Sequence, residues 1–433
     1  MFEKYKSAIL NTNFIRFTGS VTKIVGLMIE SSGPIVEIGE VCDVYPLKKE
    51  SPLRAEVVGF NGDKVLLMPL GDMSGIGPGS AVVSLGHPLL VDVTIDLLGR
   101  VIDGLGVPID DAPRVAPELR YPANNDPPNP LTRSRIREPM SLGVRAIDAL
   151  LTVGRGQRIG IFAGSGVGKS TLLGMIARNT AADVNVIALV GERGREVREF
   201  IENDLGPEGL KRSVVVVATS DKPALVRVKA ALIATAIAEY FRDLGKDVVL
   251  MMDSITRFSM AQREIGLAIG EPPVTRGYPP SVFAALPRLL ERAGTSDEGS
   301  ITGLYTVLVD GDDFNEPISD AARGILDGHI MLSRKLAARG QYPAIEVLES
   351  ASRVMPNIVP DEHLDATLRF KEILATYYSS EDLINIGAYA RGSNPFIDLA
   401  IEKYPGFIDF LKQRTNESVT LDDSVRRLRQ LVE

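Results

Sequence analysis

At 433 residues, with 45% hydrophobic and 24% charged side chains, the chain has the composition of a soluble globular protein with room for two or three domains and a sizeable core. Its formal net charge of −8 argues against a protein whose main task is holding nucleic acid, and its single cysteine, Cys42, excludes an internal disulfide and a cysteine-rich metal site. The start, Met1 to Lys6, lacks the apolar stretch of a signal peptide and no run approaches the ~20 apolar residues of a membrane span, so a cytosolic protein with peripheral membrane contact at most is expected.

Phe2, Tyr5, Ala8 and Ile9 recur at helical spacing, which predicts a short amphipathic helix. It is either a docking segment for a partner helix or a frayed terminus, because nine residues are marginal as an isolated helix. From Phe17 to about Val82, short apolar runs at Val21–Val25, Ile35–Ile38 and Ala55–Phe60 alternate with turn sequences Gly33-Pro34, Asn61-Gly62 and Gly77-Pro78-Gly79. This texture predicts a small closed β-barrel, with Asn61-Gly62 marking a hairpin. Some barrels of this size bind oligonucleotides, but residues 1–82 carry 8 Lys and Arg against 9 Asp and Glu, which is no footprint for a polyanion. Residues 86–139 are rich in Pro and Gly, including Pro122, Pro127, Pro128 and Pro130, and read as an extended crossing segment rather than a core.

From Pro139 onward apolar strands alternate with helices: Ile159–Phe162, Val186–Val190, Val214–Val217, Val248–Met252, Leu304–Val309 and Ile330–Leu332, with Ala224–Leu244 as the longest helical run. Continuous Val, Ile and Leu runs between helices indicate a mainly parallel sheet covered on both faces, an α/β core whose ligands bind beyond the carboxyl ends of the strands. After about Pro360 helical periodicity takes over at Leu364, Leu368, Ile373 and Tyr377, followed by pieces broken at Gly392, Pro395 and Pro405, and Thr420 with Asp423 resembles a capping box for a last helix. The expected domains are residues 1–85, 86–360 and 361–433.

Within the α/β core, an apolar strand runs into Ala163-Gly164-Ser165-Gly166-Val167-Gly168-Lys169-Ser170, and a helical run opens at Thr171. That is the setting of a phosphate loop, in which backbone N–H groups and a helix N-terminus converge on phosphates. Lys169 is placed to reach the β- and γ-phosphates and the Ser170 hydroxyl to hold Mg²⁺, a hard cation that prefers oxygen. Ala163 stands where the pattern usually has Gly, which is acceptable only at negative φ. The alternative, a glycine-rich turn that binds nothing, has no need of strand, loop, Lys, Ser and helix in that order.

Two acidic positions fall at the same edge. Val248-Val249-Leu250-Met251-Met252-Asp253 is an apolar strand ending in a carboxylate, an arrangement that holds Mg²⁺ through its water shell, so Asp253 is the second metal anchor. Val190-Gly191-Glu192-Arg193 ends another strand with a carboxylate able to orient and polarise water, and Glu192 is the candidate. The local sequence equally accommodates an exposed Glu192 paired with Arg193 or Arg195.

Together Gly164–Ser170, Gly191-Glu192-Arg193-Gly194-Arg195-Glu196, Asp253-Ser254-Ile255-Thr256-Arg257-Phe258 and Glu271-Pro272-Pro273-Val274-Thr275-Arg276-Gly277-Tyr278-Pro279-Pro280-Ser281 resemble the rotary ATPase catalytic subunit superfamily. Within it they most resemble the flagellar export ATPase and its injectisome relatives, over nearly all of the chain. The resemblance implies a RecA-like core between a β-barrel and a helical domain, and a homohexameric ring hydrolysing ATP with Mg²⁺. Gly164, Ser165, Gly166, Val167, Gly168, Lys169, Ser170 and Thr171 are then the nucleotide-binding positions, with Tyr342 packing on adenine. Arg353, in Ser350-Ala351-Ser352-Arg353-Val354, matches an arginine finger that acts in trans, and Arg193 and Arg257 match secondary positions near the γ-phosphate and metal. Where the family has Asp or Asn after Pro-Ala-Ile, this chain has Glu346. Residues 310–317, Asp310-Gly311-Asp312-Asp313-Phe314-Asn315-Glu316-Pro317, resemble the acidic loop that faces a central stalk, with a solvated turn as the alternative.

Further implications are a stator-like regulator on the N-terminal segment, a stalk-like coiled-coil protein in the ring, export-gate membrane proteins, export substrates with their chaperones, and a place at the inner membrane under the flagellum. No nucleic acid is expected, although an RNA-translocating ring remains a different class of answer. An injectisome ATPase is the nearest alternative. A proton-driven synthase subunit fits Ala163 and Thr256 less well, and a non-catalytic ring subunit would be expected to lack Glu192.

Overall fold

The computed structural model describes residues 17–48, 51–113, 115–309 and 316–433. The helix expected at residues 2–10 and residues 310–315 of the acidic loop lie outside the described residues.

Six strands close the first barrel: β1 (Thr18–Val25), β2 (Met28–Ser32), β3 (Glu40–Val44), β4 (Leu53–Asn61), β5 (Lys64–Pro69) and β6 (Ala81–Pro88), in the order β1-β2-β5-β4-β3-β6. Val21, Ile29, Val44, Val57, Leu67 and Val82 alternate inward and fill it. The β4–β5 hairpin turns at Gly62, whose φ of 60° permits the two-residue connection between Asn61 and Lys64. Ile35–Ile38, expected as a strand, is not one: after Gly33-Pro34 the chain leaves the sheet and re-enters only at Glu40, leaving Ile35 and Ile38 exposed.

The crossing segment also departs from expectation. Part of it, β7 (Val101–Asp103), pairs in parallel at the edge of the large sheet, and Leu90–Val93 pairs with Leu119–Pro122. Val91, Val93 and Ile102 are buried, so the segment contributes to the core despite its prolines, which sit outside its paired stretches or at their ends.

The large sheet continues with β8 (Arg158–Ala163), β9 (Val184–Val190), β10 (Ser213–Ala218), β11 (Asp247–Asp253), β12 (Ser300–Leu308), β13 (Gly328–Leu332) and β14 (Ala351–Ser352). Their order is β14-β13-β8-β12-β11-β9-β10-β7, parallel throughout except that β14 runs antiparallel to β13. The apolar runs are continuous because both faces are covered. Val186, Ala188 and Val190 of β9 face one cluster with helix Ala224–Asp243, while Ile187 and Leu189 face the other, with α1 (Lys169–Asn179).

The helical end packs onto that second cluster through α2 (Asp361–Asn385), α3 (Pro395–Leu411) and α4 (Leu421–Val432). Phe370 stacks on Phe407 at 4.0 Å and touches Phe410. Pro405 does not break the chain here: it lies on the exposed side of α3, where water can satisfy the carbonyl it orphans, and Phe407, Phe410 and Leu411 hold the helix down. Thr420 caps α4, its hydroxyl accepting the Asp423 amide at 3.1 Å.

Candidate functional site

The site lies at the carboxyl edge of the large sheet. Ala163 is the last residue of β8, paired with Leu308 and Leu332 and not at positive φ, so its methyl group meets the backbone requirement at that position. The loop turns at Gly166 (φ 78°) and Gly168 (φ 90°). Gly168 opens α1 without any side-chain cap, so the leading N–H groups of the helix are left for an anion.

Three side chains meet beside that helix end. Lys169 Nζ donates to Asp253 Oδ1 at 2.5 Å and lies 3.5 Å from Glu192 Oε1. Asp253 ends β11, and Glu192 follows β9 two residues on, so the strand register sets the spacing of the two carboxylates around one ammonium. All three are largely shielded from water. Burial pulls the Lys169 ammonium down, but Asp253 and Glu192 together more than compensate and hold its pKa above the ordinary value. Burial pushes the Glu192 carboxyl up to about 7; Lys169 opposes that rise and Asp253 adds to it.

The remaining expected residues are arranged less evenly. The Arg257 stem packs over Gly191, where an added Cβ would come within 3.0 Å of it, and Arg257 Nε is buried without a hydrogen-bond partner among the described residues. Arg193 is exposed and pairs with Glu196 at 3.6 Å rather than entering the cluster. Tyr342, 49% exposed, stands over the loop, with its ring edge 3.6 Å from where a Gly168 Cβ would be. Thr171 and Tyr342 share the wall of a cavity of about 950 Å³ between α1 and the segment Lys412–Glu417. Arg353 is not brought to this site. It follows Ser352, which pairs with Gly328 at the start of β13, so the antiparallel turn of β14 carries it to the sheet edge opposite the phosphate loop.

Two further residues shape the site. Thr306, fully buried on β12 between the loop strand β8 and β11, donates to Asp253 Oδ1 at 2.7 Å. Gln413 ties the cavity wall together: its Oε1 accepts from the Arg145 amide at 2.8 Å, its Nε2 donates to Gly143 at 2.9 Å, and its own amide donates to the Tyr342 carbonyl at 3.0 Å. A hydroxyl inside an apolar strand was the only sequence signal for Thr306, and Gln413 had none.

A Lys-bearing loop on a helix N-terminus, with two carboxylates across the edge of a parallel sheet, defines a nucleotide-binding protein of the phosphate-loop class. The ATP synthase alpha/beta family nucleotide-binding domain matches residues 143–352, its β-barrel domain residues 21–86, and the T3SS EscN ATPase C-terminal domain residues 359–430. The flagellum-specific ATP synthase of Bacillus subtilis is 61% identical, covering 95% of this chain and 94% of that protein. The type 3 secretion system ATPase of Xanthomonas euvesicatoria is 53% identical over 95% and 93%. The assembled ATPase EscN of the enteropathogenic E. coli type III secretion system superposes with a TM-score of 0.91 at 48% identity, covering 96% of this chain and 100% of that one. This chain belongs to the flagellar and type 3 secretion branch of the ATP synthase alpha/beta family and is an ATP-hydrolysing enzyme.

Proposed function

We propose that the chain energises protein export through a flagellar type III apparatus by hydrolysing ATP. The observation that carries this reading is the 61% identity to the Bacillus subtilis flagellum-specific ATP synthase across 95% of the chain. In this reading the amides of Gly164, Ser165, Gly166, Val167 and Gly168, together with Thr171, bind the phosphates, and Lys169 leaves Asp253 to engage the β- and γ-phosphates. Glu192, still in reach of Lys169, orients water against the γ-phosphorus. Tyr342 covers one face of the adenine. Arg257, whose Nε has no partner among the described residues, and the exposed Arg193 serve the γ-phosphate side.

Mg²⁺ fits the residues present. The site offers the Ser170 hydroxyl, in the first turn of α1, and the strand-end carboxylate of Asp253. Mg²⁺ uses such sparse protein donors alongside substrate phosphates and water. Ser170 and Asp253 would hold it, and when bound it neutralises charge on the phosphate chain.

Arg353 is proposed to act on a neighbouring subunit. At the sheet edge away from its own phosphate loop, it can serve the nucleotide only of another copy, which requires a ring, read here as a homohexamer. EscN has been solved assembled and in complex with its central stalk EscO, so a stalk partner is proposed here too. A stator-like regulator, gate proteins, chaperones and export substrates complete the proposed set. Among the described residues no helix is long and apolar enough to cross a membrane, and we place the chain in the cytoplasm, docked peripherally at the flagellar base.

The test is complementation. In a Bacillus subtilis strain lacking its own flagellum-specific ATP synthase, this chain should restore secretion of flagellar subunits, and Glu192→Gln should not. Rescue of a Xanthomonas type 3 secretion mutant in its place would favour the injectisome reading, which the 53% identity keeps second.

A further inference from the structure

We propose that Thr306 is the positioning residue that holds the Asp253 carboxylate in its metal-binding orientation once Lys169 has turned to the nucleotide. The inference rests on the reading of Asp253 as the Mg²⁺ anchor. Asp253 Oδ1 receives two donors, Lys169 Nζ at 2.5 Å and Thr306 Oγ1 at 2.7 Å. These donors are not equivalent. Lys169 sits on a flexible stem beside the loop and must swing away to reach phosphate, whereas Thr306 stands within β12, two residues from its carboxyl end, with a β-branched, rotationally stiff side chain.

The hydroxyl is fully buried, where an unsatisfied polar group is costly, so it needs a partner. Its alternative acceptor, the Met252 carbonyl, lies at 3.3 Å, and the carboxylate is both nearer and charged, which makes it the stronger partner. β12 pairs with both β8 and β11, so this hydroxyl ties Asp253 at the end of β11 to the strand that runs beside the one leading into the phosphate loop. With Lys169 withdrawn, Thr306 is the remaining donor to Oδ1 among the described residues, and the carboxylate it holds would be free to take the metal.

Losing a group that orients a metal ligand typically weakens metal binding by about 10–100-fold. The experiment titrates Mn²⁺ into the full-length protein with ADP and reads bound metal by electron paramagnetic resonance, with metal-free ADP affinity and thermal unfolding measured in parallel. Thr306→Val, which keeps the shape and deletes the donor, should weaken Mn²⁺ by roughly tenfold or more while leaving metal-free ADP affinity within about twofold. Thr306→Ser, which keeps the hydroxyl, should bind Mn²⁺ nearly as the native protein does. Equal losses in the Val and Ser variants would overturn the role of the hydroxyl in favour of methyl packing. Native-like Mn²⁺ binding by Thr306→Val, with Asp253→Asn impaired, would overturn this inference alone. Native-like binding by Asp253→Asn would remove the metal-anchor reading and the inference with it.

Discussion

Lys169 Nζ lies 3.5 Å from Glu192 Oε1, yet the Glu192 carboxyl stands near pH 7, because burial outweighs the neighbouring ammonium. A carboxyl raised from 4.5 to about 7 is still half protonated at neutral pH, and only the ionised form can polarise water. We expect kcat/KM, which reports the free enzyme, to rise with pH through about 7 and then level off, whereas Glu192→Gln stays low and flat. The stability consequence has the opposite sign. A raised carboxyl favours the fold fully below pH 4.5, and that contribution is lost as pH rises through about 7. Glu192→Gln should therefore be more stable than the native protein at pH 8, by on the order of 1 kcal/mol or more, and unfold at a higher temperature, with the difference vanishing near pH 4.5. Calorimetry at the two pH values checks this.

Gln413 is held by Arg145, Gly143 and Tyr342, and its own segment lines the cavity beside Tyr342. Gln413→Leu leaves buried backbone groups without partners, a loss of about 1–3 kcal/mol, and loosens the wall against which a base packs. KM for ATP should rise roughly tenfold with kcat little changed, the pattern of lost binding common to ground and transition states. Inorganic tripolyphosphate, which lacks a base, should inhibit the variant and the native enzyme equally. Equal loss of tripolyphosphate inhibition would place the defect at the phosphate loop.

These two predictions differ in how far the sequence pointed to them. Val186–Val190 and Val248–Met252 were legible because strands buried on both faces must be apolar throughout, and a Gly-rich loop between strand and helix reveals its own chemistry. Ile35–Ile38 has the same local texture but lies exposed after a Gly-Pro turn, and Pro405 sits inside a helix held by Phe407 and Phe410; in both cases tertiary context overrides the local signal. The Arg145–Gln413 bond joins residues 268 positions apart, and the Thr306–Asp253 bond depends on which strands are neighbours, so neither is visible in a local window.

A buried pair fastens the barrel to the α/β core. Lys229 on helix Ala224–Asp243 lies 2.6 Å from Glu56 of β4, and both are almost wholly buried. Even with that partner, burial keeps the Glu56 carboxyl above its ordinary range. Lys229→Met strands the carboxylate and should destabilise the protein by about 3–5 kcal/mol, while the double variant Glu56→Leu with Lys229→Met should recover most of the loss. Denaturant unfolding of the native protein, both single variants and the double variant closes the cycle. A double variant no better than Lys229→Met would show that a stranded Glu56 carboxylate is not the source of the loss.

Arg353 donates to the Arg323 carbonyl at 3.2 Å and sits at the end of the sheet away from Lys169 of its own chain, and this topology makes its role separable by mixing. Arg353→Ala should lower turnover by ~10³–10⁵ with nucleotide affinity largely retained, as loss of a transition-state cation does. Lys169→Ala should fail for a different reason, because its own loop no longer grips phosphate. When the two inactive proteins are mixed, some boundaries in a ring join an intact Lys169 to an intact Arg353 from the next copy, and hydrolysis should reappear in proportion to those boundaries. Activity per chain of the native protein should likewise climb with concentration as rings form. A mixture that stays as inactive as its components, in rings shown by size analysis to contain both, would mean that the two residues serve the same chain or that Arg353 serves none.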